Sequence, residues 1–264
     1  MEIGKVYLDN NATTPLDPRV LQAMLPFLEI EWGNPNNIHA WGRKAREAVE
    51  DARENVAKMI NAPAEEIFFT SGGTEGNNLI LKGVAFANRD KGKHIITTAI
   101  EHKCILNTCK WLKKQGFEIT YLKVDREGFV DLNQLEREIR EDTILVSVML
   151  ANNEIGTLEP IREIVEIVKS KSKAYVHTDA CQAIGKIKVD IKELGVDALT
   201  MSGHKFYAPK GIGAVYINRE VKIEPLIHGG GQERGMRSGT ENVAGIVGMG
   251  VAAEVAKRDL ESGE

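Results

Sequence analysis

Seven short apolar runs alternate along the chain with stretches of helical periodicity, and this alternation restricts the possible folds more than any other feature. Some runs, such as TILVSVML at 143–150, are apolar at consecutive positions, which is typical of strands covered on both faces. The alternation predicts a three-layer α/β/α fold around a mostly parallel, seven-stranded sheet. The predicted strands are 66–70, 94–100, 118–124, 143–150, 174–180, 197–202 and 212–218. The predicted helices are 20–32, 43–60, 77–90, 105–116, 132–141, 161–172 and 242–264.

The composition excludes several classes of protein. The chain has 264 residues, 42% of them hydrophobic, which is enough for one large domain or for one domain with a small appendage. A formal net charge of −4 gives no reason to expect a nucleic-acid or anionic-membrane partner. No apolar run approaches the ~20 residues that a membrane helix needs, and the N-terminal stretch lacks the apolar segment of a secretory signal.

The cysteines indicate the redox environment. Cys104, Cys109 and Cys181 are few and odd in number, which favours a reducing cytoplasm over a disulfide framework. No pair has CxxC spacing, so we expect no zinc or iron–sulfur site built from this chain alone. The sequence therefore predicts a cytoplasmic protein without a metal of its own.

In open α/β sheets, ligands bind beyond the carboxyl ends of the strands, so the loops that follow the strands are the first place to look for chemistry. The stretch TSGGTEGNN at 70–78 leaves a strand, turns through Gly72 and Gly73 and starts a helix near Thr74. Exposed amides at a helix N-terminus, approached closely through glycine, can bind an anion. A tight turn with Thr74 as the N-cap explains the same letters equally simply.

Two further loops carry polar side chains that could face a ligand. His102 follows the predicted strand at 94–100, where a histidine can transfer protons or stack on a flat ring, or can be an ordinary loop residue. Asn153 follows the apolar run at 143–150 and could donate a hydrogen bond to a ligand hydroxyl, or simply form a turn.

Asp179 and Gln182 lie at the end of the predicted strand at 174–180. A carboxyl group at the end of a buried strand is costly unless it is paired, and a cationic ring nitrogen would be a suitable partner. Cys181 lies between them, and a small hydrophobic filler is its better interpretation.

The stretch TMSGHKFYAPKG at 200–211 places Ser202, His204 and Lys205 together where a strand gives way to a glycine-rich turn. Lys205 could be a solvated surface charge, or it could be a reactive amine that forms a Schiff base with an aldehyde while Ser202 and His204 hold an anion beside it. Together with Asp179, the loops supply the groups that pyridoxal phosphate requires: an amine, an acid for the pyridine nitrogen, a phosphate cradle and a ring stacker.

Eight blocks of the sequence resemble, in order, the blocks of the cysteine desulfurases, which are class V aminotransferases of the aspartate-aminotransferase fold (fold type I). The blocks are YLDNNATTPLDPRV, GNPNNIHAWGRKARE, FTSGGTEGNN, EHKCIL, ANNEIGT, HTDACQAIGK, SGHKFYAPKGIGA and HGGGQERGMRSGTEN. The resemblance runs from about Val6 to the end of the chain. It implies an enzyme that removes sulfur from L-cysteine, leaving alanine and a protein-bound persulfide for iron–sulfur cluster or thio-cofactor assembly on an acceptor such as a scaffold protein.

The resemblance also implies roles for single residues. It makes Lys205 the Schiff-base lysine, places Asp179 at the pyridine nitrogen, and makes His102 the ring stacker and a candidate for proton transfer. It further implies that Gln182 and Asn153 lie near the ring hydroxyl, that Gly73, Thr74, Ser202 and His204 hold the phosphate, that Thr240 reaches the phosphate of a neighbouring subunit in a homodimer, and that Asn34 belongs to the substrate entrance.

The sequence departs from the family mainly in length. Family members continue into a small C-terminal domain that carries the persulfide-forming cysteine and an arginine for the substrate carboxylate. We therefore expect residues 1–14 to be the N-terminal segment of the small domain, 15–250 the cofactor-binding large domain, and 251–264 the start of the connection to an absent C-terminal part. A chain of this length is expected to bind cofactor without full turnover. A selenocysteine lyase, or a non-catalytic protein that binds sulfur-transfer partners, remains an alternative.

Overall fold

The computed structural model describes residues 6–263, so the first five residues of the predicted N-terminal segment, and Glu264 at the end of the last predicted helix, lie outside the described part. The strands are β1 (Ile67–Thr70), β2 (His94–Thr98), β3 (Glu118–Leu122), β4 (Thr143–Ser147), β5 (Tyr175–Asp179), β6 (Ala198–Ser202) and β7 (Gly213–Ile217). The helices are α1 (Pro18–Glu29), α2 (Ala40–Met59), α3 (Gly73–Ala87), α4 (Lys103–Lys114), α5 (Leu132–Glu138), α6 (Ile161–Lys171), α7 (Ile191–Leu194) and α8 (Val243–Ser262).

The seven strands form one sheet in the order β1-β7-β6-β5-β4-β2-β3. The pairs from β6 to β3 are parallel, and β7 alone runs antiparallel to both of its neighbours. Since β1 and β6 are both antiparallel to β7, β1 runs in the same direction as β6. The carboxyl ends of six strands therefore meet at one edge of the sheet, where an α/β fold places its ligand site.

Helices cover both faces of the sheet, because alternate residues of each strand point to opposite sides. On β7, Ala214 and Tyr216 join a core with α1, α2, α5, α6 and α8, whereas Val215 and Ile217 join a second core with α3 and α4. The α2–α8 pair packs very closely: a Cβ on Gly250 would lie 2.5 Å from the Cα of Ala52, so only glycine permits this approach.

The predicted strands are all confirmed, each slightly shorter than its apolar run, and the sheet is mostly parallel as expected. The short helix α7 was not predicted. The N-cap of α3 is Gly72 rather than Thr74, and no side chain caps this helix. The predicted boundary at residue 250 falls inside the continuous helix α8, and the division into domains stays a prediction.

Candidate functional site

A cavity of about 820 Å³ opens at the carboxyl edge of the sheet. Its size is in the range of sites that enclose a small organic ligand or cofactor. The cavity gathers side chains from loops that are distant in sequence. Nine of the predicted site residues line it: Gly73, Thr74, His102, Asn153, Asp179, Gln182, Ser202, His204 and Lys205.

The N-terminus of α3 forms one wall of the cavity. Gly72 adopts a φ of +150°, which favours glycine, and turns the chain from β1 into the helix. Because no side chain caps α3, its first amide groups remain available as hydrogen-bond donors beside the hydroxyl-bearing Ser202. A Cβ at residue 73 would lie 2.6 Å from Cys181 Sγ, so glycine is required for the two segments to meet. This wall has the features of an anion site.

Asp179 is buried at the end of β5, and two donors hold its carboxyl group. The side-chain amide of Asn77 donates to Oδ2 at 2.7 Å, and the backbone N–H of Cys181 donates to Oδ1 at 3.0 Å. Sequence reasoning did not assign a role to Asn77. Its position four residues after Gly73, on the same face of α3, was the signal that could have found it.

Lys205 lies at the end of a 3₁₀ turn directly after β6 and is half-buried. Its Nζ donates to the backbone carbonyls of Asn11 and Ala12, the second at 2.9 Å. Burial lowers the pKa of Lys205, while the negative charges of Asp179 and Asp9 partly oppose that effect. The amine is therefore more readily neutral, and so more nucleophilic, than a surface lysine.

Residues 9–13 pass along the cavity and connect several of its walls. The carbonyl of Asn11 accepts from Gln182 Nε2 at 2.8 Å, and its side-chain amide donates to the carbonyl of Asn153 at 3.3 Å. The Thr13 hydroxyl lies 3.1 Å from His204 Nδ1, and burial, followed by the nearby lysines, lowers the pKa of His204. No local signal marked Asn11, because its contacts are with residues more than 140 positions away.

His102 is the exposed N-cap of α4 and lines the cavity. Its Nδ1 accepts a hydrogen bond from the backbone N–H of Cys104 at 3.2 Å and lies 3.0 Å from Cys104 Sγ. With Nδ1 acting as an acceptor, the neutral ring carries its proton on Nε2. His102 can therefore donate a hydrogen bond from Nε2.

Two of the predicted site residues lie outside the lining of this cavity. Thr240 is exposed, and Asn34 is half-buried with its Oδ1 accepting from the backbone N–H of Asn36 at 2.9 Å. The side chain of Asn36 in turn donates to the carboxyl group of Glu241 at 3.0 Å, which places the two predicted residues in one neighbourhood. Their roles, in the substrate entrance and toward a partner subunit, stay predictions.

The three cysteines are free thiols, and their surroundings disfavour ionisation. Burial raises the pKa of Cys104 to about 11 and that of Cys109 to about 12, and it raises the pKa of Cys181 well above its ordinary value. Cys104 and Cys181 line the cavity. Neither is set up as a nucleophile at neutral pH.

Within residues 6–263 the structure contains no group of three or more histidine, cysteine or acidic side chains placed to hold a metal ion. The same residues include no helix that is long and apolar enough to cross a membrane.

The aminotransferase class-V family matches residues 6–262. The cysteine desulfurase IscS of Dictyoglomus turgidum is 58% identical over 257 residues, which cover 97% of this chain and 65% of that protein. Among solved structures, a NifS-like protein superposes with a TM-score of 0.96 at 51% identity, covering 98% of this chain and 71% of that one. A structure described as SspA in complex with cysteine gives a TM-score of 0.91 at 43% identity, covering 95% of this chain and 72% of that one.

The chain thus spans about 65% of the length of the IscS protein that it matches. The agreement nevertheless extends over almost all of the chain, and the solved structures share its sheet and helices. The family resemblance inferred from the eight sequence blocks is confirmed: the chain belongs to the aminotransferase class-V family, which includes pyridoxal-phosphate enzymes and the NifS-like proteins.

Proposed function

We propose that this chain carries the cofactor-binding part of a pyridoxal-phosphate-dependent cysteine desulfurase. The observation that supports this proposal most strongly is the set of side chains and amide groups that β5, β6 and α3 bring to one cavity. There an amine with a lowered pKa (Lys205), a buried acid (Asp179) and an uncapped helix N-terminus line one space of about 820 Å³.

The residues present fit the cofactor chemically. A lysine amine suits its aldehyde, a carboxyl group suits its pyridine nitrogen, and a helix N-terminus with Ser202 and His204 suits its phosphate. The close contact at Gly73 is compatible with the same assignment, because glycine lets the start of α3 lie against Cys181 at the cavity.

When bound, the cofactor would supply an electron sink that stabilises negative charge at the substrate α-carbon. Residues of the chain would hold and orient the cofactor for that chemistry. Asp179 keeps a proton at the ring nitrogen, and Asn77 and the amide of Cys181 fix the direction of its carboxyl group. The Lys205 amine would hold the cofactor through its aldehyde and would accept and return a proton at the substrate α-carbon.

His102 has two roles in the proposal. Its ring lies at the cavity wall, where it stacks on a flat ligand, and the contact of Nδ1 with the Cys104 amide keeps the imidazole in one orientation. The hydrogen on Nε2 would let His102 donate a hydrogen bond to a ligand group in the cavity, and the protonated ring would supply a proton to a leaving or transferred group.

The substrate and partners follow from the relatives. L-cysteine is the proposed substrate, since relatives are named cysteine desulfurases and a solved relative was obtained with cysteine. A sulfur acceptor such as an iron–sulfur scaffold protein, and a cytoplasmic location with reduced thiols, complete the proposal.

A homodimer is also proposed. Thr240 is exposed, and the nearby apolar side chains of Trp32, Ile38 and Trp41 are 74%, 90% and 56% exposed, which is unusual for a monomer surface. A second copy would cover this surface and bring its own Thr240 toward the neighbouring phosphate. Sedimentation velocity on the wild type and on Ile38→Asp tests it: a dimer that the charge dissociates is expected, and a wild-type monomer would contradict it.

The cofactor assignment is tested by covalent labelling. Incubation with pyridoxal phosphate, reduction with borohydride and peptide mapping should place the label on Lys205. Lys186 and Lys210 are the internal controls, because Lys186 also contacts Asn11 and Lys210 also lines the cavity. Label on either control lysine, or bound cofactor without any label, would contradict the role of Lys205.

A further inference from the structure

The loop at 228–242 contacts the anion-binding wall of the same chain. The guanidinium group of Arg237 forms a salt bridge with Glu75, with Nε 2.9 Å from Oε1 and a second, longer contact of 3.4 Å to Oε2. Glu75 Oε2 also accepts from the backbone N–H of Ser71 at 2.9 Å. A chain of contacts therefore runs from Arg237 through Glu75 to the turn that opens α3.

Glu75 lines the cavity within the first turn of α3, next to the amides that face the proposed phosphate site. A carboxylate is stabilised near a helix N-terminus, but a carboxylate without a cationic partner at this position would compete with a ligand anion and repel it. Burial raises the pKa of Glu75, but the bonds from Arg237 and Ser71 outweigh this and lower it, so the group is ionised and its charge must be balanced.

A second ion pair fixes the loop that carries Arg237. Glu233 is buried and accepts from Arg53 at 2.7 and 2.9 Å, and it accepts from the backbone N–H of Phe69 on β1 at 2.8 Å. Glu233 and Arg234 adopt φ values of +46° and +54°, a region that non-glycine residues rarely occupy. Such a conformation persists where its surroundings enforce it, and here it delivers Arg237 to Glu75.

We infer that Arg237 is a positioning residue for the anion site: it neutralises Glu75, so that Glu75 can hold the Ser71–Gly72 turn without repelling the phosphate of the cofactor. This inference rests on the proposed function for the identity of the ligand. It assigns the 228–242 loop a task inside its own subunit, separate from the task proposed for Thr240 at a partner subunit.

The test compares ligands with and without a phosphate group. Dissociation constants for pyridoxal phosphate and for pyridoxal are measured by absorbance titration, and that for inorganic phosphate by calorimetry. The variants are Arg237→Gln, Glu75→Gln and the double variant. Arg162→Gln is the matched control, because it removes the arginine of an exposed pair with Glu166 on α6.

Arg237→Gln should weaken both phosphate-containing ligands about tenfold, as expected for an uncompensated charge beside a partly buried anion, and should change pyridoxal binding by less than about twofold. The double variant should recover most of the lost affinity, because removing the Glu75 charge removes the repulsion. A structural role alone would not be rescued in this way.

Equal weakening of pyridoxal phosphate and pyridoxal, or a double variant as weak as Arg237→Gln, would overturn the inference. So would wild-type affinity for both phosphate ligands in a folded Arg237→Gln variant. Failure of the proposed function gives a different result: inorganic phosphate still depends on Arg237, but pyridoxal phosphate binds no better than phosphate and leaves Lys205 unlabelled.

Discussion

Replacing Glu101 by glutamine should make the protein more stable at high pH and should leave its stability almost unchanged at low pH. Glu101 lies in the loop between β2 and α4 and is only 5% exposed. Its Oε1 accepts from the Thr98 hydroxyl at 2.8 Å and from the backbone N–H of Met149 at 2.9 Å, whereas Oε2 is buried without a hydrogen-bond partner. This environment favours the neutral acid.

Burial raises the pKa of Glu101 from 4.5 to about 8, with smaller contributions of the same sign from Asp179 and Glu159. A raised folded-state pKa means that the folded protein binds more protons than the unfolded chain between these pH values. Its contribution to stability is therefore complete below pH 4.5 and is lost as the pH rises to 8. At about 1.36 kcal/mol for each pH unit, the loss reaches roughly 5 kcal/mol above pH 8.

Glutamine keeps the acceptor oxygen for Thr98 and Met149 and cannot ionise. Its amide nitrogen takes the place of Oε2 and remains unpaired, which costs about 1–3 kcal/mol, a cost that the protonated acid also carries in part. We therefore expect the free energy of unfolding of Glu101→Gln to exceed that of the wild type by about 3–4 kcal/mol at pH 9. At pH 5 the two should agree within about 1 kcal/mol.

Urea unfolding followed by circular dichroism at a series of pH values measures this difference, and taking variant minus wild type cancels the other titrating groups. Glu47→Gln, an exposed change on α2, is the control and should give a flat difference. Parallel pH profiles for Glu101→Gln and the wild type would show that Glu101 ionises at an ordinary pH and would refute the reasoning.

Three other predictions concern His177, Asp179 and the three thiols. Burial between Ser147 and Thr200 lowers the pKa of His177 to about 4, so the free energy of unfolding should fall by roughly 3 kcal/mol as the pH drops from 6.5 to 4. His177→Gln, made in the Glu101→Gln background, should remove this contribution to the pH dependence of stability. An unchanged pH dependence would contradict the assignment. Asp179→Ala should slow cofactor-dependent exchange of the substrate α-proton at least about a hundredfold while cofactor occupancy, read from absorbance, falls far less; exchange at the wild-type rate would show that the acid is not needed. Incubated with L-cysteine and a reductant, the protein should exchange the α-proton of cysteine without steadily releasing alanine and sulfide, because its three thiols resist ionisation. Steady release that is abolished by Cys104→Ala would show that this thiol serves as the nucleophile.

The sequence was most informative for features that depend only on one strand and the loop that follows it. The seven strands were recognisable because each is a short apolar run, and Asp179 and Lys205 could be placed at the cavity because they lie at or just beyond the ends of two such runs. The same reasoning misplaced the N-cap of α3 at Thr74, since Thr74 is a common capping residue and nothing local showed that Gly72 would begin the helix without a side-chain cap.

Contacts between distant segments were the part that the sequence pattern did not reveal. Asn11 contacts Asn153, Gln182 and Lys205, which lie 142, 171 and 194 positions away in the sequence, and the pairing of Arg237 with Glu75 joins residues 162 positions apart. Asparagine, arginine and glutamate are common on surfaces, so the sequence alone says little about which of them will contact one another in the folded protein.

The meeting of Gly73 with Cys181 shows why such contacts matter for the chemistry. The thiol fills the space in which a side chain at residue 73 would lie, and the backbone N–H of the same cysteine holds the carboxyl group of Asp179. Cys181 thus contacts both the start of α3 and the acid at the end of β5. A small, uncharged side chain at position 181 satisfies both demands, which explains a thiol here that serves packing and not nucleophilic attack.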